Sequence, residues 1–263
     1  MWRLWPVLLI LGGLDIILGR RSFVGNLVVV TLTVAIMAGT VILLAAAPDY
    51  LAPSASGGVE SIDEPLDGIE RADLDIDFIA GKLDIGRQRD SSALITGQLE
   101  LSTRHEPIWE INRKNGQAIM SLGYERTTWA QTWHDEWNLD LSPRALYALE
   151  LDIGAGEATI DLTGLHIQGL NVSTGAGQST IIFPVEGDFS AAITGGVGRL
   201  VVKIPEGMAA RVQVNHGIGG VNIPSRFEDR GHGQYQTHDW DTNENRVDLE
   251  IEIGVGEVVL QGF

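Results

Sequence analysis

Leu149-Glu150-Leu151-Asp152-Ile153-Gly154-Ala155-Gly156 is the stretch on which the fold turns. Apolar residues hold every second position up to Ile153 and acids fill the positions between, the period of an extended strand with one face buried. Two glycines one residue apart then interrupt the alternation. The same Gly-x-Gly returns at Gly175/Gly177, Gly196/Gly198 and Gly217/Gly219, 21 residues apart each time, and again at Gly254/Gly256 after 37 residues. A weaker copy, Ile79-Ala80-Gly81, precedes them. Self-similarity at a fixed period marks a repeat architecture: one unit is too small to bury its apolar face, and stacked units share a continuous core.

Within one unit, two alternating segments such as Ser179–Phe183 and Phe189–Ile193 flank the turn Pro184-Val185-Glu186-Gly187, and Pro205-Glu206-Gly207 is the equivalent turn one unit later. The expected fold is therefore all-β: a parallel β-solenoid of 21-residue repeats over residues 149–263, each coil made of two short strands and two Gly-rich corners. Glycine suits such corners because a Cβ would press on the same corner of the next coil. The last copy is delayed by an insertion in the polar, loop-like stretch Ser225–Arg246. Residues 68–148 break the repeat; Ala93–Leu101, Ala118–Leu122 and Trp137–Leu141 alternate and are divided by turn residues such as Asn115-Gly116. They read as first strands and hairpins that cap the open end of the stack.

Upstream the chemistry changes. Val28–Ala47 is an uncharged run of 20 residues, long enough at about 1.5 Å per residue to cross a roughly 30 Å hydrocarbon layer. Leu4–Leu18 is shorter and contains Asp15, which reads as a residue near a helix end reaching the interface. Residues 1–48 are thus expected to be a membrane anchor of two hydrophobic helices. Arg20 and Arg21 lie between the runs and no Lys or Arg follows until Arg71, so the arginines belong on the cytoplasmic side and the C-terminal domain outside. Ala45-Ala46-Ala47 would suit a signal cleavage site, but Val28–Ala47 is too long for an ordinary signal core. Residues 49–67, with Pro53-Ser54-Ala55-Ser56-Gly57-Gly58 at their centre, read as a flexible linker.

The chain holds 18 Lys+Arg against 35 Asp+Glu; removing the three arginines and one aspartate of the first 47 residues leaves 15 against 34 beyond them. So acidic a domain repels nucleic-acid phosphates and anionic lipid headgroups and favours cations and basic ligands. Nucleic acid is excluded as a partner. With no cysteine, there is neither a disulfide framework nor a thiolate nucleophile or metal ligand.

Candidate sites are few. Each Gly-x-Gly leads into another strand rather than a helix N-terminus, which removes the phosphate-loop reading, and no cofactor is expected. Gly154, Gly156, Gly175, Gly177, Gly196, Gly198, Gly217, Gly219, Gly254 and Gly256 are assigned as structural corner residues. His134-Asp135-Glu136, and His232 with His238-Asp239, lack metal-motif spacing, so no metal site is assigned. The alternating acids Asp73, Asp75 and Asp77, and Asp248, Glu250 and Glu252, read as solvated faces, with divalent-cation binding between acidic strands as the sharper reading. Trp129, Trp133, Tyr235 and Trp240 lie in loop-like stretches and are the candidate partner-binding aromatics, against the plainer reading that they pack a cap. Nothing resembles a nucleophile elbow or a catalytic carboxylate pair, so no enzyme is expected.

Two regions carry a family likeness. Trp5-Pro6-Val7-Leu8-Leu9-Ile10-Leu11-Gly12-Gly13 looks like the Trp-Pro-led helix of the LiaI-LiaF-type transmembrane region. Trp137-Asn138-Leu139-Asp140-Leu141, Leu149–Gly156 and the Gly-x-Gly series resemble the toast-rack β-domain of the LiaF-like family of cell-wall-active antibiotic response proteins. The chain departs from a four-helix LiaF protein in having two hydrophobic runs. The resemblance implies a role in envelope stress or signalling rather than catalysis. The expected function is a membrane-anchored, non-catalytic interaction or regulatory module of the cell envelope. Its partners would be the lipid bilayer and a membrane signalling protein or envelope component. A structural or adhesive spacer, a cation- or glycan-binding module and a cryptic hydrolase stand as alternatives.

Overall fold

The computed structural model describes residues 58–89, 92–102, 107–124 and 134–263. The two expected membrane helices within residues 1–48 lie outside these; among the described residues no helix is long and apolar enough to cross a membrane. The described chain is built from strands: β1 (Val59–Pro65), β2 (Arg71–Arg87), β3 (Ala93–Glu100), β4 (Ile108–Lys114), β5 (Gln117–Gly123), β6 (Asp135–Leu141), β7 (Leu146–Asp161), β8 (His166–Ile182), β9 (Asp188–Ile204), β10 (Ala209–Asn222), β11 (Phe227–Gly231), β12 (Gln234–Thr237) and β13 (Arg246–Gly262).

Each coil is one long strand rather than two short ones. β9 runs without a break from Asp188 to Ile204 through its glycine pair. What changes at the glycines is parity: Phe189, Ala191 and Ile193 are buried before them, and Leu200, Val202 and Ile204 after. A strand keeps one face inward only while its alternation is unbroken. The Gly-x-Gly bend swaps the faces, so one strand serves two layers that close on a single core. Gly198 takes φ 153° there, a conformation open to glycine and costly for other residues. The return turns are compact: Leu165 N–H donates to Leu162 O and Met208 N–H to Pro205 O.

Six bent strands pair in parallel in the order β2-β7-β8-β9-β13-β10. The fifth glycine copy is therefore not the outermost rung. β13 slots between β9 and β10, with Gly256 paired to Gly198 on one side and to Gly219 on the other. Residues 225–246, expected to be a loop, contain the hairpin β11–β12, whose turn at His232-Gly233 has positive φ at both residues, the geometry of a tight two-residue hairpin. β12 pairs Gln234–Tyr235–Gln236 with Gln213–Val212–Arg211 and so covers part of the β10 edge.

At the other end the two halves of β2 acquire different neighbours. Its first half pairs with β5 of the β4–β5 hairpin, turned at Asn115-Gly116, and its second half with β6, which leads on to β3 and β1. β1 corrects the tether: residues 59–65 are not a linker but an antiparallel strand, because Ile62 is buried against the core while Glu60 and Glu64 flank it.

The core is continuous, as stacked coils require. Each fully buried Leu, Ile or Phe adds about 1.5–3 kcal/mol. Trp137 anchors the cap end, 5.1 Å edge-to-face from Phe78, and Phe183 meets Phe189 at 5.6 Å farther along. Tyr147 is buried too. Its hydroxyl donates to Leu94 O at 2.9 Å and accepts from Ser142 N–H at 3.0 Å, tying β7 to the start of β3.

Candidate functional site

Parallel, in-register stacking turns every sequence position of the repeat into a row across the sheet. On the first-half layer, the outward row nearest the bend is Asp77, Asp152, Ser173, Thr194, Glu252 and Asn215. The next row holds Asp75, Glu150, Asn171, Ala192, Glu250 and Gln213. Neighbouring strands lie about 4.8 Å apart, so Asp75/Glu150 and Asp77/Asp152 are stacked like charges that raise the local negative potential. The hydroxyls of β8 and β9 relieve the repulsion farther along.

A shallow groove of about 460 Å³ follows the row nearest the bend, lined by Asp77, Asp152, Ser173, Thr174 and Thr194 together with the apolar Phe78, Ile79 and Ile153 and the glycines Gly154 and Gly175. Its carboxylates accept hydrogen bonds and its hydroxyls both donate and accept, which suits a hydroxyl-rich or cationic ligand lying along the strands. Among the described residues no group of His, Cys, Asp or Glu is arranged to hold a metal ion. His134, His232 and His238 are all exposed and stand in separate places: ahead of β6, in the β11–β12 turn and after β12.

The glycines assigned from sequence form two columns at the bend. One runs Gly154, Gly175, Gly196, Gly254, Gly217 and the other Gly81, Gly156, Gly177, Gly198, Gly256, Gly219. A Cβ built on Gly177 would lie 1.9 Å from the carbonyl oxygen of Gly156, and one on Gly198 would lie 1.8 Å from that of Gly177. Between the columns runs a crest of Ala80, Ala155, Ala176, Val197, Val255 and Ile218, the last three 57%, 44% and 74% exposed.

The aromatic candidates separate. Trp129 and Trp133 lie outside the described residues. Tyr235 is half-buried against the core. Trp240 is buried, with the Arg211 guanidinium 4.4 Å over its ring. The polar groups around it form a lock at the β10 end. Arg226 donates to Pro205 O at 2.9 Å, and burial pulls its pKa below the usual arginine value against the raising influence of Asp239 and Glu206. Burial alone would raise the Asp239 carboxyl, but hydrogen bonds from Asn243 and Thr237 and the Arg226 charge hold it below the ordinary aspartate range.

One polar cluster escaped the sequence reading. Asp135 is buried and accepts from both Ser102 N–H and Ser102 Oγ at 2.7 Å and from Tyr124 Oη. Burial, and then the neighbouring carboxylate, push the Tyr124 phenol well above its usual pKa. The signal was parity: Asp135 shares the inward positions of Trp137, Leu139 and Leu141, where an acid needs hydrogen-bonding partners.

The N-terminal domain of toast_rack (DUF2154) matches residues 54–204. No curated protein matches the chain. A solved "putative cell adhesion protein" from Clostridium sporogenes ATCC 15579 is 23% identical, with a TM-score of 0.71 over 78% of this chain and 99% of that one. A "putative adhesin" from Bacteroides fragilis NCTC 9343 is 12% identical over 79% of this chain and 98% of its own, but its TM-score of 0.30 gives it no weight in the argument.

Proposed function

The chain belongs to the toast-rack family, and we propose from that premise that it is a non-catalytic interaction module held at the outer face of a cell membrane. The observation that supports this reading best is the surface itself. Outward residues stand in straight rows across six coils, giving a rigid, open, acidic and hydroxyl-bearing face, and its groove is shallow. Such a face suits an extended partner and offers no enclosed place to exclude water from a reaction. Sequence supports the anchor through the Val28–Ala47 run, and the Arg20-Arg21 pair supports the outward orientation. The LiaF-like resemblance supports a regulatory role in envelope stress. An adhesive role is the second reading, favoured by the fold shared with the Clostridium sporogenes protein, which is described as a "putative cell adhesion protein".

Because the chain has no cysteine, one introduced residue reports its topology. Val59→Cys, at a 68% exposed site, should react with a membrane-impermeant maleimide in intact cells; labelling only after lysis would refute the orientation. For function, Asp152→Lys with Glu250→Lys reverses charge on the outward rows without touching the core. Loss of a cell-wall-antibiotic stress response, at unchanged melting temperature, is the expected result. If deleting the whole chain left that response unaltered while cell attachment fell, the adhesive reading would replace the regulatory one.

A further inference from the structure

The first outward row after the bend, on the second-half layer, is Lys82, Glu157, Gln178, Arg199, Glu257 and Gly220 across the six coils, with Glu136 of β6 beside Lys82. Within the chain Lys82 bridges Asp84 at 2.6 Å and Glu136 at 3.3 Å, and Arg199 bridges Glu257 at 3.1 Å. Read backwards, the row's first five members are their own charge complement. Reversal about Gln178 places Lys82 opposite Glu257 and Glu157 opposite Arg199, four encounters of unlike sign once both copies are counted and none of like sign. Sliding by half a rung either way ruins this, because Glu157 then meets Glu257 or Lys82 meets Arg199. Stacking the row unreversed sets each charge on itself.

The crest next to the row has the same property in size. Reversed about Ala176, its first five members set Val197 against Ala155 and Val255 against Ala80, large against small, while Ile218 lies beyond the paired strip. These valines are exposed on a chain whose formal charge is −17, yet no charge lies within the Gly-x-Gly copies themselves.

We propose that this crest is where a second copy of the chain docks, antiparallel, about a two-fold axis through the Ala176–Gln178 rung. A two-fold contact presents one patch to itself, so its charge row must be complementary under reversal, and this one is. The opposite row opposes this register, since Asp77 then faces Glu252 in both copies. It stands three residues from the crest centre at Ala80, however, where Lys82 stands two, and its side chains are shorter. Five rungs at about 4.8 Å make a strip roughly 24 Å long, small beside a standard interface, so the pairing is weak and reversible. The inference goes beyond the proposed function and does not depend on it.

The test uses the full-length chain. Gln178→Cys lies on the axis and meets itself, so under mild oxidation it should form disulfide-linked dimer at least about tenfold faster than Val185→Cys, an exposed control in a return turn. In the Gln178→Cys background, Glu157→Arg should slow cross-linking by about tenfold through two lost attractions, and adding Arg199→Glu should restore it. The pair Lys82→Glu and Glu257→Lys repeats the swap should the first variant fold poorly. Equal cross-linking at positions 178 and 185, no slowing by either single reversal, or slowing that neither swap repairs would each overturn the proposal.

Discussion

Replacing Gly177 by alanine tests the column on which the stack depends. Two costs add. At φ 144° a residue with a Cβ is strained by about 1–3 kcal/mol. Its Cβ would also stand 1.9 Å from the Gly156 carbonyl oxygen, so β7 and β8 must part by more than an ångström locally, weakening ladder hydrogen bonds worth about 0.5–1.5 kcal/mol each. The expected loss is about 3–5 kcal/mol, or roughly 10 °C in melting temperature for a domain of this size. Urea unfolding followed by far-ultraviolet circular dichroism measures it. Two controls sharpen the result. Gly169→Ala, with nothing within 4 Å of the added carbon, should be neutral or slightly stabilising. Gly219→Ala meets Gly256 O more closely still, but in the outermost coil of the column, which has no further coil to displace, so it should cost less than Gly177→Ala. If Gly177→Ala and Gly169→Ala agree within about 0.5 kcal/mol, the columns are not what holds the coils in register.

Tyr147→Phe removes two hydrogen bonds but leaves Ser142 N–H donating to Leu94 O at 2.9 Å, so it should cost only about 0.5–1.5 kcal/mol in the same assay, with little change of fold; a loss well above that range would show that the hydroxyl, not the backbone bond, holds the two segments together. Asp239 gives a pH prediction. Its folded pKa is depressed, so its contribution is full above the unfolded carboxylate value of about 3.9 and is lost as pH falls below it. Wild type and Asp239→Asn should therefore differ in stability near neutral pH and converge below about pH 4; a gap constant across that range would show that the charge is irrelevant.

Much of the fold could be read from Leu149–Gly156 and its copies, because strand alternation and a steric demand for glycine are both local. The bend was legible as an interruption, but its effect was not. Whether the chain turns a corner between two strands or folds one strand over depends on parity, and the buried Leu200, Val202 and Ile204 declare it only when compared with Phe189, Ala191 and Ile193. Rung order was beyond reach, since β13 satisfies β9 and β10 equally well by pattern and only the hairpin crossover decides which slot it takes. Phe227–Thr237 hid a hairpin because its strands are short and polar, although His232-Gly233 was available as a turn signal. Composition likewise misplaced Val59–Pro65, where one buried isoleucine outweighs four acidic and proline residues. Of the aromatics that were candidates for partner binding, Trp240 is packed beneath an arginine; a tryptophan's amphipathic ring serves cap and contact equally, and sequence does not separate them.

The interleaving of β13 has a consequence for how the molecule is made. On the ribosome, β2 to β9 can zip one on the next as each appears, but β10 is synthesised before the neighbour it needs. Until residues 246–262 arrive, its backbone donors and acceptors on that side have only solvent, and the flank of β9 is equally bare. Assembly must therefore pause with a vacancy one strand wide, and a chaperone or a stray strand competing for that gap would act at this moment and at no other.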